Sequence, residues 1–476
     1  MVTRPGPSPP TAVVEQLPDA VDLVVLGTGA VGQTAAHAAA KAGWSVVITD
    51  TVSFGGTCAS RGCDAKKPLV NAAAAVLAAR RMTGAGVGCD TGSSLKLDWS
   101  ALMAFKRSFT DPVHHSTLED FQAAGLHAIL AEARFLDPET VEIGPAGVGR
   151  QLRPKHGVVI AVGQRPVPLK IPGAELAIDS DAFLALNDLP ERVVFLGGGY
   201  ISMEFAGAAA VAGRRVTVLQ RGPSVLKQFP SKAVAVVVAG MESIGVDIRT
   251  GVEVERLERA DGGATRLRLS GGEDLEADLV VAAIGREPAL RGLDLEAGEV
   301  AYDRREGVHV DHNYRSVSNP RVRCAGDAAS TGRAALIPSA AVEARVMTDL
   351  LIEGRTDRRS TAPVPSAAFT QPTIAAVGMD VAEAEAASFT PRVIEGDAAG
   401  WKLLREQGVA HAYYRVVVDA ADTRLLGATV VGPGAEEVIN VFAEAIAAGR
   451  RADTWGTTPF AYPSFGFNLM NQLRRA

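Results

Sequence analysis

The amino-acid sequence predicts an α/β protein with two Rossmann-like units, followed by an α+β segment in the last third of the chain. Twice, from Asp22 and again from Arg192, a short apolar strand leads into a glycine-rich loop, an alanine-rich helix and a second strand. This order is the βαβ unit of a parallel, doubly wound sheet. Near the end, apolar segments at 410–419 and 425–431 and a helical segment at 436–448 instead fit an antiparallel sheet with helices.

Composition narrows the class of protein. At 476 residues the chain is long enough for about three domains. A formal net charge of −6 argues against a general nucleic-acid-binding protein, and no apolar run has the length that a bilayer requires, so we expect neither nucleic acid nor a membrane as a partner. Residues 1–19 are rich in proline and polar residues and predict a disordered lead-in rather than a signal peptide. Four cysteines are too few for a disulfide framework, which favours a cytoplasmic protein.

The first glycine-rich loop, Gly27-Thr-Gly-Ala-Val-Gly32, predicts a dinucleotide site. In this fingerprint Gly27 makes the tight turn, Gly29 lets the backbone approach a pyrophosphate, and Gly32 lets the helix pack on the strand. The helix N-terminus would face the phosphates. The second strand ends at Asp50, where an acid accepts hydrogen bonds from a ribose. A glycine turn without a ligand is the weaker alternative, because strand, helix, second strand and acid occur together.

The second glycine-rich loop follows the strand 192–196 and predicts another nucleotide site. It runs Gly197-Gly-Gly199-Tyr200-Ile-Ser202, so the small residue Ser202 replaces the third glycine of the fingerprint. The helix and strand that follow complete the second βαβ unit.

The end of the next strand indicates which nucleotide this second site prefers. The strand ends in Gln220-Arg221 and has no carboxylate there. An acid would bind a free 2′-hydroxyl and repel a 2′-phosphate, whereas Arg221 and Lys227 would attract the phosphate. The sequence therefore predicts NADPH rather than NADH; the alternative is that both cations are ordinary surface residues.

Two of the four cysteines, Cys58 and Cys63, follow the first nucleotide unit with C-x4-C spacing. Four intervening residues let both sulfurs lie on one side of a helical turn, within disulfide reach if the backbone bends slightly. A helix N-terminus also favours the attacking thiolate. We predict a redox-active disulfide that passes electrons from a flavin to a substrate. A structural disulfide and two buried thiols are the alternatives.

Two nucleotide folds with C-x4-C after the first resemble the flavin-dependent disulfide reductases, a family that includes glutathione reductase, dihydrolipoyl dehydrogenase and mercuric reductase. The resemblance runs from about Val21 to Met470. It implies that the first site binds FAD, with Thr57 of the Gly-Gly-Thr-Cys motif among the FAD-binding residues. It also implies that Cys58 exchanges with the substrate and that Cys63 contacts the flavin as a thiolate.

The resemblance implies roles for three further side chains. After the second cysteine the family usually has Pro-Ser-Lys, and this chain has Ala65-Lys66-Lys67, which keeps Lys67 as the lysine near the flavin. Glu204 matches the ion-pair partner of that lysine, and Tyr200 matches the aromatic residue that gates the nicotinamide pocket. The alternative is a surface lysine, a helix glutamate and a core tyrosine.

Three further segments resemble parts of the family. Residues 158–163 and 279–285 resemble its two domain junctions, and residues 324–327 resemble its second FAD motif. The resemblance implies cofactor contacts by Gly163 and Gly285 at the junctions, and by Asp327, which would bind the ribityl chain. Cys324 in the same motif and Cys89 are expected to be small buried residues or incidental thiols. No metal site is predicted.

The resemblance also divides the chain into domains and implies a homodimer. The FAD-binding domain would comprise 20–163 and 291–362, the NADPH-binding domain 164–290, and the interface domain 363–476. In the family, the interface domain makes a two-fold dimer and its tail completes the active site of the partner.

The C-terminal tail departs from the family pattern. The disulfide reductases end with His-Pro-x-x-x-Glu, whose histidine shuttles protons for the exchange thiol. In this chain the histidine is replaced by Tyr462 and the glutamate by Phe467. A tyrosine hydroxyl, with a pKa near 10, would be a poor base at neutral pH, although it could donate a hydrogen bond to a thiolate. His114 and His115 are further candidates for proton handling, with solvated helix histidines as the favoured alternative.

The sequence thus predicts an NADPH-dependent, FAD-containing oxidoreductase that reduces a small disulfide through Cys58 and Cys63. Because the base is missing, two other reactions stay open: reduction of an electrophile that needs no base, such as Hg(II) or a quinone, and specialised C–S chemistry. A different class, a nucleotide-binding sensor flavoprotein with little turnover, is disfavoured by the intact cysteine pair, Lys67 and Glu204.

Overall fold

The structure is a computed structural model that describes residues 17–88, 95–354 and 362–474. The predicted lead-in falls mainly on residues 1–16 and therefore lies outside the described residues, as does Cys89. The chain forms two compact units. The division into three functional domains stays a prediction.

The described chain contains both strands and helices, and they alternate in the two nucleotide-loop regions that begin at β1 and β10. The strands are β1 (Leu23–Leu26), β2 (Val46–Asp50), β3 (His127–Leu130), β4 (Ala133–Phe135), β5 (Val141–Ile143), β6 (Arg150–Leu152), β7 (Val158–Ile160), β8 (Gln164–Pro166), β9 (Ala177–Asp179), β10 (Arg192–Leu196), β11 (Arg215–Gln220), β12 (Val246–Thr250), β13 (Val254–Arg259), β14 (Thr265–Leu269), β15 (Asp274–Ala277), β16 (Leu279–Ala282), β17 (Arg286–Pro288), β18 (Tyr302–Asp303), β19 (Gly307–His309), β20 (Val322–Cys324), β21 (Ala329–Ser330), β22 (Ser366–Ala368), β23 (Ile374–Gly378), β24 (Pro391–Asp397), β25 (Tyr413–Asp419) and β26 (Leu425–Val431). The helices are α1 (Ala30–Lys41), α2 (Gly56–Arg61), α3 (Cys63–Arg81), α4 (Trp99–Thr110), α5 (Val113–Ala123), α6 (Ser180–Phe183), α7 (Tyr200–Val211), α8 (Ser231–Ser243), α9 (Ile337–Glu353), α10 (Val381–Ala386), α11 (Lys402–Glu406), α12 (Ala435–Ala447), α13 (Ala452–Trp455) and α14 (Phe465–Leu473).

The first unit comprises the described parts of 1–65, 107–167 and 286–360. Its central sheet is parallel and has the strand order β20-β7-β1-β2-β3. Every side chain of β1 is buried, as in a strand that is covered on both faces. Val24 and Leu26 belong to one apolar core, and Leu23 and Val25 belong to another that includes alanines of α1. Alternate residues of β1 therefore enter the cores on opposite faces of the sheet.

The second unit comprises the described parts of 66–106, 168–285 and 361–476 and contains another parallel sheet, with the order β12-β11-β10-β16-β9. The strand β10 has the predicted bounds. Helix α7 begins at Tyr200, directly after Gly199, because this glycine is the N-terminal cap.

The same unit also contains an antiparallel sheet with the order β22-β23-β26-β25-β24. Helices α8 and α12 both pack on this sheet. A side chain at Gly240 of α8 would come within 2.3 Å of the Pro372 ring, which shows how closely that helix approaches. The predicted fold class, with two parallel Rossmann-like sheets and an α+β C-terminal part, is confirmed. In the described ranges, no helix combines the length and the apolar character needed to span a bilayer.

Candidate functional site

The first glycine loop has the backbone geometry that its sequence predicts. Gly27 follows β1 with φ +103°, and a Cβ there would lie 2.3 Å from the carbonyl oxygen of Ala161. A Cβ at Gly32 would lie 2.0 Å from the carbonyl oxygen of Gly27. Gly29 caps α1, and no atom lies within 4 Å of the place where its Cβ would be. The packing therefore requires glycine at the two outer positions, while the middle one leaves the helix N-terminus open to a phosphate.

Asp50 holds this loop to the end of β2. Its Oδ2 accepts hydrogen bonds from the backbone N–H of Thr28, at 3.1 Å, and from the Thr28 hydroxyl, at 2.6 Å. Its Oδ1 accepts one from the N–H of Val52 at 3.1 Å. A carboxylate can accept about four hydrogen bonds, so Asp50 keeps acceptor capacity for a ribose hydroxyl. The open helix N-terminus and this acid fit the pyrophosphate and ribose of a dinucleotide such as FAD.

The start of the cysteine motif packs directly on that loop. Gly56 has φ +73°, and a Cβ on it would lie only 2.5 Å from the Cα of Gly29. Gly55, with φ +101°, would place its Cβ 2.3 Å from Cγ1 of Val113 in α5. The next residue, Thr57, is half-buried in α2. The two glycines therefore bring α2 against the nucleotide loop.

Cys58 and Cys63 lie in two different helices and do not share the single helical turn that their spacing suggested. Cys58 is half-buried in α2, whereas Cys63 is the exposed first residue of α3, where the helix dipole favours an anionic group. Gly62 separates the helices with φ −126° and ψ −123°, and a Cβ there would lie 2.7 Å from the Thr57 carbonyl oxygen. The break at Gly62 is the bend that brings the two thiols together.

The two thiols interact. The hydrogen bond with the Cys63 side chain, burial, and the charges of Cys63 and Asp64 together raise the pKa of Cys58 well above that of an ordinary thiol. The thiolate form of Cys58 is therefore disfavoured while Cys63 lies beside it.

Lys67 and Glu204 are brought together, as the sequence predicts, but a second lysine shares the acid. Oε2 of the buried Glu204 lies 3.3 Å from Nζ of Lys67 and 3.0 Å from Nζ of Lys66. Oε1 accepts a hydrogen bond from the N–H of Phe369, and the Lys67 ammonium lies 3.6 Å from the centroid of the Phe369 ring. Two cations on one carboxylate leave a net positive charge. The sequence signal for Lys66 was its position where the family usually has serine.

The second glycine loop repeats the geometry of the first. Gly197 has φ +99°, and its Cβ would lie 2.5 Å from the Ala283 carbonyl oxygen, whereas Gly199 caps α7 and has open space beside it. Tyr200 is the first residue of α7. Ser202, which replaces the third glycine, is completely buried. The helix N-terminus is again open to a phosphate.

Gln220 takes the place of the missing acid. Its Oε1 accepts the N–H of Gly198 at 2.9 Å, so the amide holds the glycine loop without carrying a charge. The N–H of Leu226 donates to the Gly198 carbonyl at 2.8 Å, which ties the other end of the 220–230 loop to the same glycine. Arg221 and Lys227 are exposed on this loop. From the sequence alone, Gln220 is only the residue that leaves the strand end without a carboxylate, and its contact with the glycine loop is not predicted.

The remaining predicted cofactor residues lie at strand ends and in a turn. Gly163 follows β7 with φ +63°, and Gly285 follows β16 with φ +118°. Asp327 lies in the turn Gly326–Ala328, where burial raises its pKa, Arg286 opposes that rise, and Glu343 adds to it. Cys324, the last residue of β20, is fully buried, as predicted.

Tyr462, the residue at the position of the family's histidine, lies before α14 and is 67% exposed. Its ring is edge-on to that of Phe467, with a centroid distance of 5.0 Å.

The two histidines that the sequence offers for proton handling lie in α5. His114 stacks on Phe54, and its Nδ1 accepts a hydrogen bond from the N–H of Phe54 at 3.2 Å. The neutral ring then carries its proton on Nε2, so His114 could act as a base only by losing that hydrogen bond. His115 is exposed and pairs with a glutamate one helical turn away.

Comparison with known proteins identifies relatives along nearly the whole chain. Residues 21–344 match the family described as pyridine nucleotide-disulphide oxidoreductase, and residues 364–471 match its dimerisation domain. Glutathione reductase from Burkholderia cepacia is 32% identical over 454 residues, which cover 95% of this chain and 98% of the relative. Dihydrolipoyl dehydrogenase from Staphylococcus aureus is 28% identical over 470 residues, covering 98% of each. The copper(II) complex of RclA, an HOCl-induced flavoprotein disulfide reductase from Escherichia coli, has the same fold, with a TM-score of 0.84, 24% identity, and coverage of 96% of this chain and 99% of that one.

The shared carboxylate generates a stability prediction. Glu204→Gln leaves two ammonium groups in a mostly buried place without a counter-ion, and removal of one partner of a buried ion pair costs about 3–5 kcal/mol. Lys66→Met should cost less, because Lys67 still neutralises the acid. Thermal unfolding of the parent protein and of the two variants measures which substitution costs more stability. A larger loss for Lys66→Met than for Glu204→Gln would contradict a net positive cluster.

Proposed function

The chain belongs to the pyridine nucleotide-disulphide oxidoreductase family, and we propose that it is the NADPH-dependent, FAD-containing reductase of a small disulfide, working as a homodimer. The observation that carries this proposal is the pair of hydrogen-bonded thiols, Cys58 and Cys63, on helices that Gly56 packs against the first nucleotide loop. A purely structural cysteine pair would need neither an exposed second thiol nor this close approach to a nucleotide loop.

The first glycine loop, Asp50, Thr57, Gly163 and Asp327 would hold FAD, which when bound supplies two-electron transfer between a nicotinamide and the cysteine pair. In the reduced pair, the Cys58 sulfur attacks one sulfur of the substrate disulfide. The substrate S–S bond breaks, one half leaves as a thiol, and the other half forms a mixed disulfide with Cys58. The Cys63 thiolate then attacks the Cys58 sulfur and restores the Cys58–Cys63 disulfide. The second half of the substrate leaves as a thiolate, which takes up a proton from water.

The second loop supports NADPH as the electron donor. Gln220 holds Gly198 as a neutral acceptor, so the end of β11 carries no charge that would repel a 2′-phosphate. Arg221 and Lys227 lie on the loop that is tied to Gly198 and would supply the positive charge. Gly197, Gly199, Ser202 and Gly285 would line the nucleotide site, with Tyr200 at its nicotinamide end and Lys67 and Glu204 as the ion pair of that region.

Proton handling favours a second candidate function beside disulfide reduction. The pKa of Cys58 is raised, and Tyr462 stands where the family has its histidine base. An acceptor that takes electrons without needing an activated Cys58 thiolate, such as a quinone or a metal ion, avoids this difficulty. In disulfide reduction, Tyr462 would donate a hydrogen bond to a thiolate of the partner's pair and would not act as a base.

Cys58→Ser should abolish disulfide reduction and leave the reduction of bound FAD by NADPH intact, because only the exchange thiol is lost. Steady-state NADPH oxidation with a disulfide acceptor and anaerobic bleaching of the flavin absorbance measure the two steps separately. Cys89→Ser, which removes a cysteine outside the pair, serves as the matched control. Full turnover by the Cys58→Ser variant would contradict the role of Cys58.

The raised pKa of Cys58 predicts an alkaline pH dependence. The thiolate is the nucleophile, and below its pKa the thiolate fraction grows about tenfold for each pH unit. The kcat/KM for a small disulfide should therefore keep rising from neutral to alkaline pH. The double substitution Tyr462→His with Phe467→Glu restores the family's histidine and glutamate, and it should raise the rate of disulfide reduction at neutral pH. A plateau around neutral pH in the parent enzyme would show that another base activates Cys58.

Arg221→Met with Lys227→Met should raise the KM for NADPH about tenfold or more, because two charge-assisted contacts to the 2′-phosphate are lost. The KM for NADH, which has no such phosphate, should change little. Steady-state kinetics with both nucleotides measure the difference. An equal effect on both would remove the basis for the NADPH preference.

A further inference from the structure

A carboxylate stands beside the predicted 2′-phosphate site. The Arg221 guanidinium lies 3.6 Å from Oε1 of Glu253, and both side chains are largely exposed, at 80% and 57%. Glu253 lies in the turn between β12 and β13, more than thirty residues along the chain from Arg221. The end of β11 has no carboxylate of its own, but Glu253 places one beside Arg221.

The backbone fixes these two turns to each other. The N–H of Gly251 donates to the carbonyl oxygen of Gly222 at 3.0 Å, and the N–H of Val252 donates to the carbonyl oxygen of Gln220 at 3.2 Å. These two hydrogen bonds flank Arg221 on its own turn. The position of residue 253 beside Arg221 therefore follows from main-chain pairing and does not depend on a chance meeting of two long side chains.

Glu253 is also anchored on its other side. Its N–H donates to the hydroxyl of Ser270 at 3.0 Å, and the N–H of Ser270 donates to the carbonyl oxygen of Glu253 at 2.8 Å. The backbone of residue 253 is thus paired with Ser270 on this side, as its neighbour Val252 is paired with Gln220 on the other. This pairing places the Glu253 carboxylate beside Arg221.

We propose that Glu253 determines how strongly the site discriminates between the two nucleotides, by competing with the 2′-phosphate of NADPH for Arg221. This inference rests on the proposed NADPH site. The 2′-phosphate must displace the carboxylate from Arg221 and tolerate its charge nearby, whereas the neutral 2′-hydroxyl of NADH meets neither cost. The chain would therefore prefer NADPH by a smaller margin than Arg221 and Lys227 alone would give, and NADH would remain usable.

Another exposed ion pair of the same unit provides a matched control. Arg215 at the start of β11 pairs with Glu191 at 2.7 Å, and its side chains are as exposed as those of the Arg221 pair, at 70% and 67%. It lies at the opposite end of the strand from the loop that carries Arg221. Removing the Glu191 charge changes net charge by the same amount without touching the nucleotide site.

The test compares two probes that differ only in the 2′-phosphate, adenosine 2′,5′-bisphosphate and 5′-AMP, by isothermal titration calorimetry on the FAD-loaded protein. Glu253→Gln should lower the Kd for the bisphosphate by roughly two- to five-fold, which is the range for an exposed ion pair. The Kd for 5′-AMP should not change. Glu191→Gln should change neither, and the gain should shrink at high salt. Unchanged or weaker binding of the bisphosphate to Glu253→Gln, or equal tightening of both probes, would overturn the proposal.

The Arg221→Met, Lys227→Met variant separates the two levels of inference. If it weakens the bisphosphate while Glu253→Gln leaves that affinity unchanged, the role of Glu253 is wrong and the NADPH site stands. If it also leaves the affinity for the bisphosphate unchanged, the NADPH site itself is wrong.

Discussion

The close approach of Gly56 to Gly29 is the constraint on which the rest of the candidate site depends. A Cβ at residue 56 would lie 2.5 Å from the Cα of Gly29, so no side chain fits between the cysteine motif and the nucleotide loop. The glycine that leaves the helix N-terminus open to a phosphate is thus the one against which the redox helix packs. A dinucleotide on this loop and the dithiol are therefore neighbours because of backbone packing, before any side chain contributes.

Electrostatics then distinguish the input of electrons from their output. On the input side, the proposed NADPH site has the neutral Gln220 and the exposed cations of its loop, and Glu204 pairs with two lysines. On the output side, the hydrogen bond with Cys63 and burial raise the pKa of Cys58, and Tyr462 occupies the position where the family usually has a histidine. In the proposed reaction, the rate at which electrons pass to a disulfide therefore depends on how Cys58 loses its proton.

The sequence predicted the elements of the site better than the contacts within it. Parallel strands such as β10 are continuous apolar runs, so their bounds follow from composition. Gly62 broke the expected single turn of the cysteine motif, because one glycine between two helices can adopt a conformation that spacing alone does not reveal. Lys66 and Glu253 could not be assigned, since Glu204 and Arg221 reach them only through tertiary packing.

The central claim is that Cys58 and Cys63 receive the electrons of NADPH as a pair. Anaerobic alkylation of the air-oxidised, FAD-loaded protein, followed by peptide mass spectrometry, measures this directly. If the claim holds, both cysteines resist alkylation before NADPH is added and are alkylated together after one equivalent. Alkylation of Cys58 and Cys63 that is the same with and without NADPH would contradict it.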